Sequence, residues 1–219
     1  MTKKTTINEK PASPRLYTTL EHEASAEFTE KKSVFIGYAK PVKSEEEALA
    51  FLSEIRKRHA DARHNCYAYL LNGGGIARYS DDGEPQGTAG VPILDVIKKS
   101  GIDDVCLVVT RYFGGILLGT GGLVRAYSQA AKLAVDAAHI VTYEDYTECS
   151  IVCDYAAYQK IAYELGQFDA FVDSSAFESE VTLSLAVKTT SFDAFTKRIS
   201  ELFAGKIIPE KTGNRFDFR

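Results

Sequence analysis

Two stretches of the sequence gather residues that could do chemistry. Residues 80–90 read Ser-Asp-Asp-Gly-Glu-Pro-Gln-Gly-Thr-Ala-Gly, and residues 111–125 read Arg-Tyr-Phe-Gly-Gly-Ile-Leu-Leu-Gly-Thr-Gly-Gly-Leu-Val-Arg. Each carries Gly-Thr-x-Gly, at Gly87–Gly90 and again at Gly119–Gly122, and each runs into a helix-like segment. Glycine at this density meets a backbone requirement: positive φ, or close approach to a neighbouring chain. A glycine loop at a helix start also leaves N–H groups free to hold an anion. The candidate anion ligands are therefore Gly87, Thr88, Gly114, Gly115, Gly119, Thr120, Gly121 and Gly122, with Arg111 and Arg125 bracketing the second loop. Arg63, His64 and Lys32 would extend the same basic patch. A tight turn with close helix–sheet packing explains the glycine content equally well. The spacing is neither that of a P-loop nor that of the dinucleotide fingerprint.

Asp81, Asp82 and Glu84 offer oxygen ligands for a divalent cation, but their spacing is not that of an EF-hand. The Asp-Gly pair is itself a turn signal, so a turn with arginine ion pairs is the favoured reading and no metal or other cofactor is expected. His64 and Cys66, two apart on a strand, share one face and raise the idea of a Cys–His nucleophile. Nothing orients that histidine, and a cysteine entering an apolar strand is usually core. Tyr112 and Phe113 would stack on bases if exposed and belong to the core if buried. No catalytic set emerges.

The elements that must position these groups are read from periodicity. Strands are expected at Val34–Val42, Cys66–Leu71, Ile76–Tyr79 and the near-continuously apolar Val105–Tyr112, with a hairpin-type connection at Asn72–Gly75. Ser44 and Glu47 read as a capping box opening a helix with Ala48, Phe51, Leu52 and Ile55 on one face. Thr88 is expected to cap a helix over Val91–Lys99, and an alanine stripe marks the helix after Gly122. The pattern resets near residues 140–146. Then follow a strand (Glu148–Cys153), a helix (Tyr155–Leu165), two strands (Phe168–Ser174, Glu180–Val187), a helix (Ser191–Leu202) and a strand from Lys206 onward. That βαββαβ order is the ferredoxin-like one. The division is thus a flexible tail at 1–14, a first domain at 15–141 and a second at 142–219, in an α+β protein.

At 219 residues, 45% hydrophobic and 26% charged, this is an ordinary globular composition. The net charge of −4 gives no global nucleic-acid signature. Residues 1–141 are near neutral (18 Lys/Arg, 17 Asp/Glu) and residues 142–219 acidic (8 against 13), so phosphate binding belongs to the first part. Four cysteines without Cys-x-x-Cys spacing point to a reducing cytoplasm, and no apolar run suits a signal peptide or a membrane span.

The two glycine stretches, with Arg63-His64-Asn65-Cys66 and Lys32-Ser33, resemble the signature of the YigZ/IMPACT family over about residues 15–140. The C-terminal unit resembles the small domain that bacterial members append. The resemblance implies a first domain like that shared by a ribosomal small-subunit protein and elongation-factor-G domain IV, and a second like elongation-factor-G domain V. Eukaryotic relatives regulate translation by binding a partner protein that activates a stress kinase. For bacterial members the resemblance implies nucleic-acid or ribosome association. Val34 and Val91 stand where relatives are expected to carry basic residues, which thins the basic patch. The expectation is a cytoplasmic, non-catalytic protein that binds RNA or a ribosome-associated partner. Its rivals are a small enzyme or binder acting on a phosphorylated metabolite at the same face, and a pure protein-interaction module.

Overall fold

The computed structural model describes residues 16–219. The tail expected at 1–14 lies outside them. Ten strands and five α-helices divide into two compact units, Tyr17–Thr142 and Tyr143–Arg219.

The first unit is built on five antiparallel strands in the order β2-β3-β6-β4-β5 (β2 Ala24–Glu30, β3 Ser33–Pro41, β4 His64–Leu71, β5 Ile76–Ser80, β6 Val105–Tyr112). The central strand, β6, is buried from Val105 to Arg111 because helices cover both faces. On one side lies α1 (Glu45–Arg58), whose Phe51, Leu52 and Ile55 pack on Tyr38, Tyr69, Cys106 and Val108. Ser44 caps it, accepting from the Glu47 amide, while the Glu47 carboxylate accepts from the Lys43 amide rather than that of Ser44. On the other side lie α2 (Gly90–Ser100) and α3 (Thr120–Ala137). The α3 alanine stripe lets the helix approach closely: a Cβ on Gly37 of β3 would sit 2.2 Å from the Ala130 carbonyl oxygen. The short β1 (Tyr17–Leu20) lies along the start of β7 (Ile140–Cys153), with the Thr18 and Thr142 hydroxyls 3.0 Å apart.

The second unit pairs β7 with β9 (Val181–Lys188) and β10 (Glu210–Asp217), and β9 with β8 (Ala170–Phe177), all antiparallel. Two helices, α4 (Tyr155–Leu165) and α5 (Phe192–Leu202), cover one face through Ile161, Phe195 and Ile199. Asp154 caps α4 by accepting from the Ala157 amide at 2.7 Å.

Candidate anion-binding site

The second glycine loop joins β6 to α3. Gly119, at φ +72°, opens the helix and no side chain caps it. Thr120 and Gly121 are exposed, and no acidic residue stands in the first turn. The leading N–H groups of α3 thus have no side-chain acceptor. A Cβ on Gly121 would lie 3.7 Å from an Arg125 guanidinium nitrogen, so that cation folds back over the first turn. Arg125 and Lys31 share a recess of about 160 Å³ whose wall also holds Gly122 and Glu30.

Gly114 brings the turn between β2 and β3 against this loop. A Cβ there would lie 2.0 Å from the Lys32 backbone, and the Gly114 amide donates to Ser33 Oγ at 3.2 Å. Lys31 and Lys32 stand exposed on that turn, beside the exposed Gly115. Arg63, also exposed, immediately precedes β4, whose His64 faces Arg111 across the sheet. Phe35 of β3 faces Arg111 from the other side. Strands are spaced about 4.8 Å apart, so Arg63 and the start of β3 are separated by roughly 10 Å. Lys31, Lys32, Arg63 and Arg125 therefore cluster at one end of the sheet, and among the described residues none of the four makes an ion pair.

Arg111 is not part of that surface, contrary to the sequence-based expectation. It is 6% exposed and donates to Glu84 Oε1 at 2.6 Å, while its guanidinium lies between the rings of Phe35 and Phe113. Tyr127 of α3 donates to the same Glu84 oxygen at 2.7 Å. A buried arginine held by a buried carboxylate is already neutralised and ties the first loop to β6 and α3.

The first glycine loop is likewise occupied from within. The Asp81 carboxylate accepts from the amides of Gly87, Ala89 and Gly90 at 2.8–2.9 Å and so caps α2. Burial pushes its carboxyl up, but the three amides prevail and hold it below the ordinary range. Thr88 does not cap that helix. Ala89 stands at the cap position, and the buried Thr88 hydroxyl donates to the Pro85 carbonyl at 2.6 Å. Asp82 accepts from Arg56 and from the Asn65 amide, both at 2.7 Å. All three acidic groups thus have strong internal donors.

His64 and Cys66 do not form a pair. The His64 Nδ1 is 2.8 Å from the Asp82 carbonyl, and the Cys66 thiol donates to the Asp81 carbonyl at 2.9 Å. Burial pushes that thiol well above its ordinary pKa, opposite to what a nucleophile needs. Tyr112 is not a free stacking platform either: its hydroxyl donates to Asp61 at 3.0 Å and lies 2.8 Å from His59. Phe113 does stay half exposed. His59 also meets the Tyr38 hydroxyl at 2.5 Å, and burial lowers its pKa. This Tyr38–His59–Tyr112–Asp61 chain has no sequence signature, because its members come from β3, β6 and the turn that follows α1.

No helix among the described residues is long and apolar enough to cross a membrane. The family model described as the Impact N-terminal domain matches residues 31–135, which contain both glycine loops. A domain of unknown function, DUF1949, matches residues 151–206. The chain is 37% identical over 191 residues to the IMPACT family member YvyE of Bacillus subtilis, covering 87% of this chain and 88% of that one. It is 36% identical over 180 residues to the IMPACT family member YigZ of Escherichia coli, covering 81% and 88%. A crystal structure described as that of a hypothetical protein matches with a TM-score of 0.57 at 32% identity, over 90% of this chain and 97% of that one. Both domain models and relatives matched over 88% of their own length agree: the chain belongs to the IMPACT family.

Proposed function

We propose that this protein is a non-catalytic RNA-binding protein that grips phosphate groups at the end of its first sheet, through Lys31, Lys32, Arg63, Arg125 and the open start of α3. The observation that carries this reading is the division of labour among charges. Arg56 neutralises Asp82, Arg111 neutralises Glu84 and Asp81 caps backbone, whereas four cations at one sheet end keep no carboxylate partner among the described residues. Cations without internal partners, beside helix amides, suit an external anion. The buried Cys66 and the absence of a Cys–His contact argue against nucleophilic chemistry there. Within this reading the protein is cytoplasmic and acts in translation through RNA or a ribosome-associated partner. The four cysteines, all free and buried, support a reducing compartment.

The domain resemblances belong to the same proposal. In the second unit, β10-β7-β9-β8 with a helix after β7 and another after β9 supports a ferredoxin-like assignment. For the first unit, helices on both faces of an antiparallel sheet accommodate the elongation-factor-G domain IV resemblance.

Fluorescence anisotropy of a labelled single-stranded RNA across a salt series tests the reading. Binding should weaken with log salt at a slope of about −0.7 per phosphate engaged. Arg63→Ala with Arg125→Ala should flatten that slope by about 1.4 and weaken low-salt binding at least about tenfold, with the fold unchanged. Equal binding by wild type and the double variant at low salt would overturn it.

A further inference from the structure

We propose that Glu21, His22 and His139 form a binding site for a divalent transition-metal ion of the zinc class. Glu21 and His22 follow β1, and His139 follows α3. Two of the chain's four histidines thus meet one carboxylate from positions more than a hundred residues apart. The Glu21 Oε2 is 3.4 Å from His139 Nδ1 and 3.8 Å from His22 Nδ1, and the three ligand atoms lie within 4.8 Å of one another. A zinc ion with bonds of about 2.0–2.1 Å in a tetrahedron needs ligand atoms roughly 3.3–3.4 Å apart. The two carboxylate–imidazole separations are already near that value, so the site needs little closure to take the ion.

The backbone holds the ligands together. The Glu21 amide donates to the His139 carbonyl at 2.9 Å and the His22 amide to the Ala138 carbonyl at 3.4 Å. The two imidazoles meet edge to face at 5.3 Å. Two imidazoles and a carboxylate are the donor set of borderline ions. Magnesium and calcium take oxygen ligands and would gain little here. All three side chains are exposed, so water completes the coordination. Bound metal would fasten the end of β1 to the end of α3, where β7 begins.

The competing explanation is ion pairing between Glu21 and protonated histidines, with no metal. The test titrates the full chain, after chelator treatment, with Zn²⁺ alone at pH 7.5 by calorimetry and follows Tm. Co²⁺ serves as the spectroscopic probe. We expect one saturable Zn²⁺ per chain, a higher Tm, and Co²⁺ d–d bands without thiolate charge transfer. His22→Ala and His139→Gly should each weaken Zn²⁺ binding at least about tenfold. The glycine variant guards against misfolding, because His139 sits at φ +54°, where glycine is relaxed. Failure of the wild type to bind saturably would overturn the proposal. So would unchanged affinity when His22→Ala and His139→Gly are combined, or a thiolate band on Co²⁺ binding.

Discussion

Glu84 shows how one residue can decide what a loop does. Its carboxylate neutralises Arg111 and accepts from Tyr127, inside a site that is almost closed to water. Breaking a buried ion pair from one side leaves the other charge uncompensated, at a cost of about 3–5 kcal/mol. Glu84→Gln should therefore lower Tm strongly, whereas Arg125→Ala, on the surface, should leave it within a degree or two. Chemical denaturation of both variants separates the two cases. Asp81 gives a pH-dependent counterpart. Its folded carboxyl stands below its unfolded pKa, so its stabilisation is complete above the unfolded value of about 3.9 and is lost as pH falls through the folded value. Asp81→Ala should cost about 1–2 kcal/mol at pH 7, as loss of a helix cap does. The gap to wild type should begin to narrow below about pH 4 and go on closing as pH falls through the folded value. A gap that stays constant over that fall would mean that packing, not the carboxylate, is what the substitution removed. Arginine pairing at this turn was legible in the sequence, but not which arginine pairs with Glu84 or that Tyr127 joins it, because Arg111 and Tyr127 lie 27 and 43 positions away.

At the scale of elements, strands with a buried face were legible and polar strands were not. Val105–Tyr112 and Tyr155–Leu165 fall where periodicity puts them, since both bury a continuous or regularly spaced apolar set. The strands β1 and β2 escaped it. β2 reads Ala-Ser-Ala-Glu-Phe-Thr-Glu and lies at a sheet edge with no fully buried residue, so Phe28, stacked on Phe35, is its one strong apolar signal. β7 begins at Ile140, earlier than Glu148, because its first residues pair through backbone and bury little. The candidate site was half legible. Glycine density located both loops, but whether a loop binds outward or inward depends on partners from other elements. Strand and helix approach closely at Gly37. A methyl group there would strike the Ala130 carbonyl and the Ala134 side chain, so Gly37→Ala must push α3 off the sheet. We expect a loss of about 1–3 kcal/mol, the range for overpacking. Gly121→Ala, with only the end of Arg125 nearby, should be neutral or gain up to about 1 kcal/mol in helix propensity. Urea titration of the pair distinguishes glycine used for packing from glycine used for access.

For the whole molecule, the hydrophobic clusters of the two units share no residue. Residues 1–142 and 143–219, expressed separately, should each give a dispersed NMR spectrum and unfold cooperatively. A fragment without dispersion would make the two units one folding entity. The strand order carries a different consequence, one of timing. β3 and β4 both pair with β6 and not with each other, so the first sheet has no centre until residue 112 has been made. β3 is finished at Pro41, about 70 residues earlier. At roughly 5–20 residues per second of synthesis, β3 waits some 4–14 seconds for its partner. Until β6 arrives, β3 has only β2 and β4 only β5 to pair with, so Phe35 and the apolar side chains of β4 lack the joined sheet that buries them. A ribosome-bound chain halted before Val105 should therefore be digested readily by protease, and one halted well beyond Tyr127 should resist it.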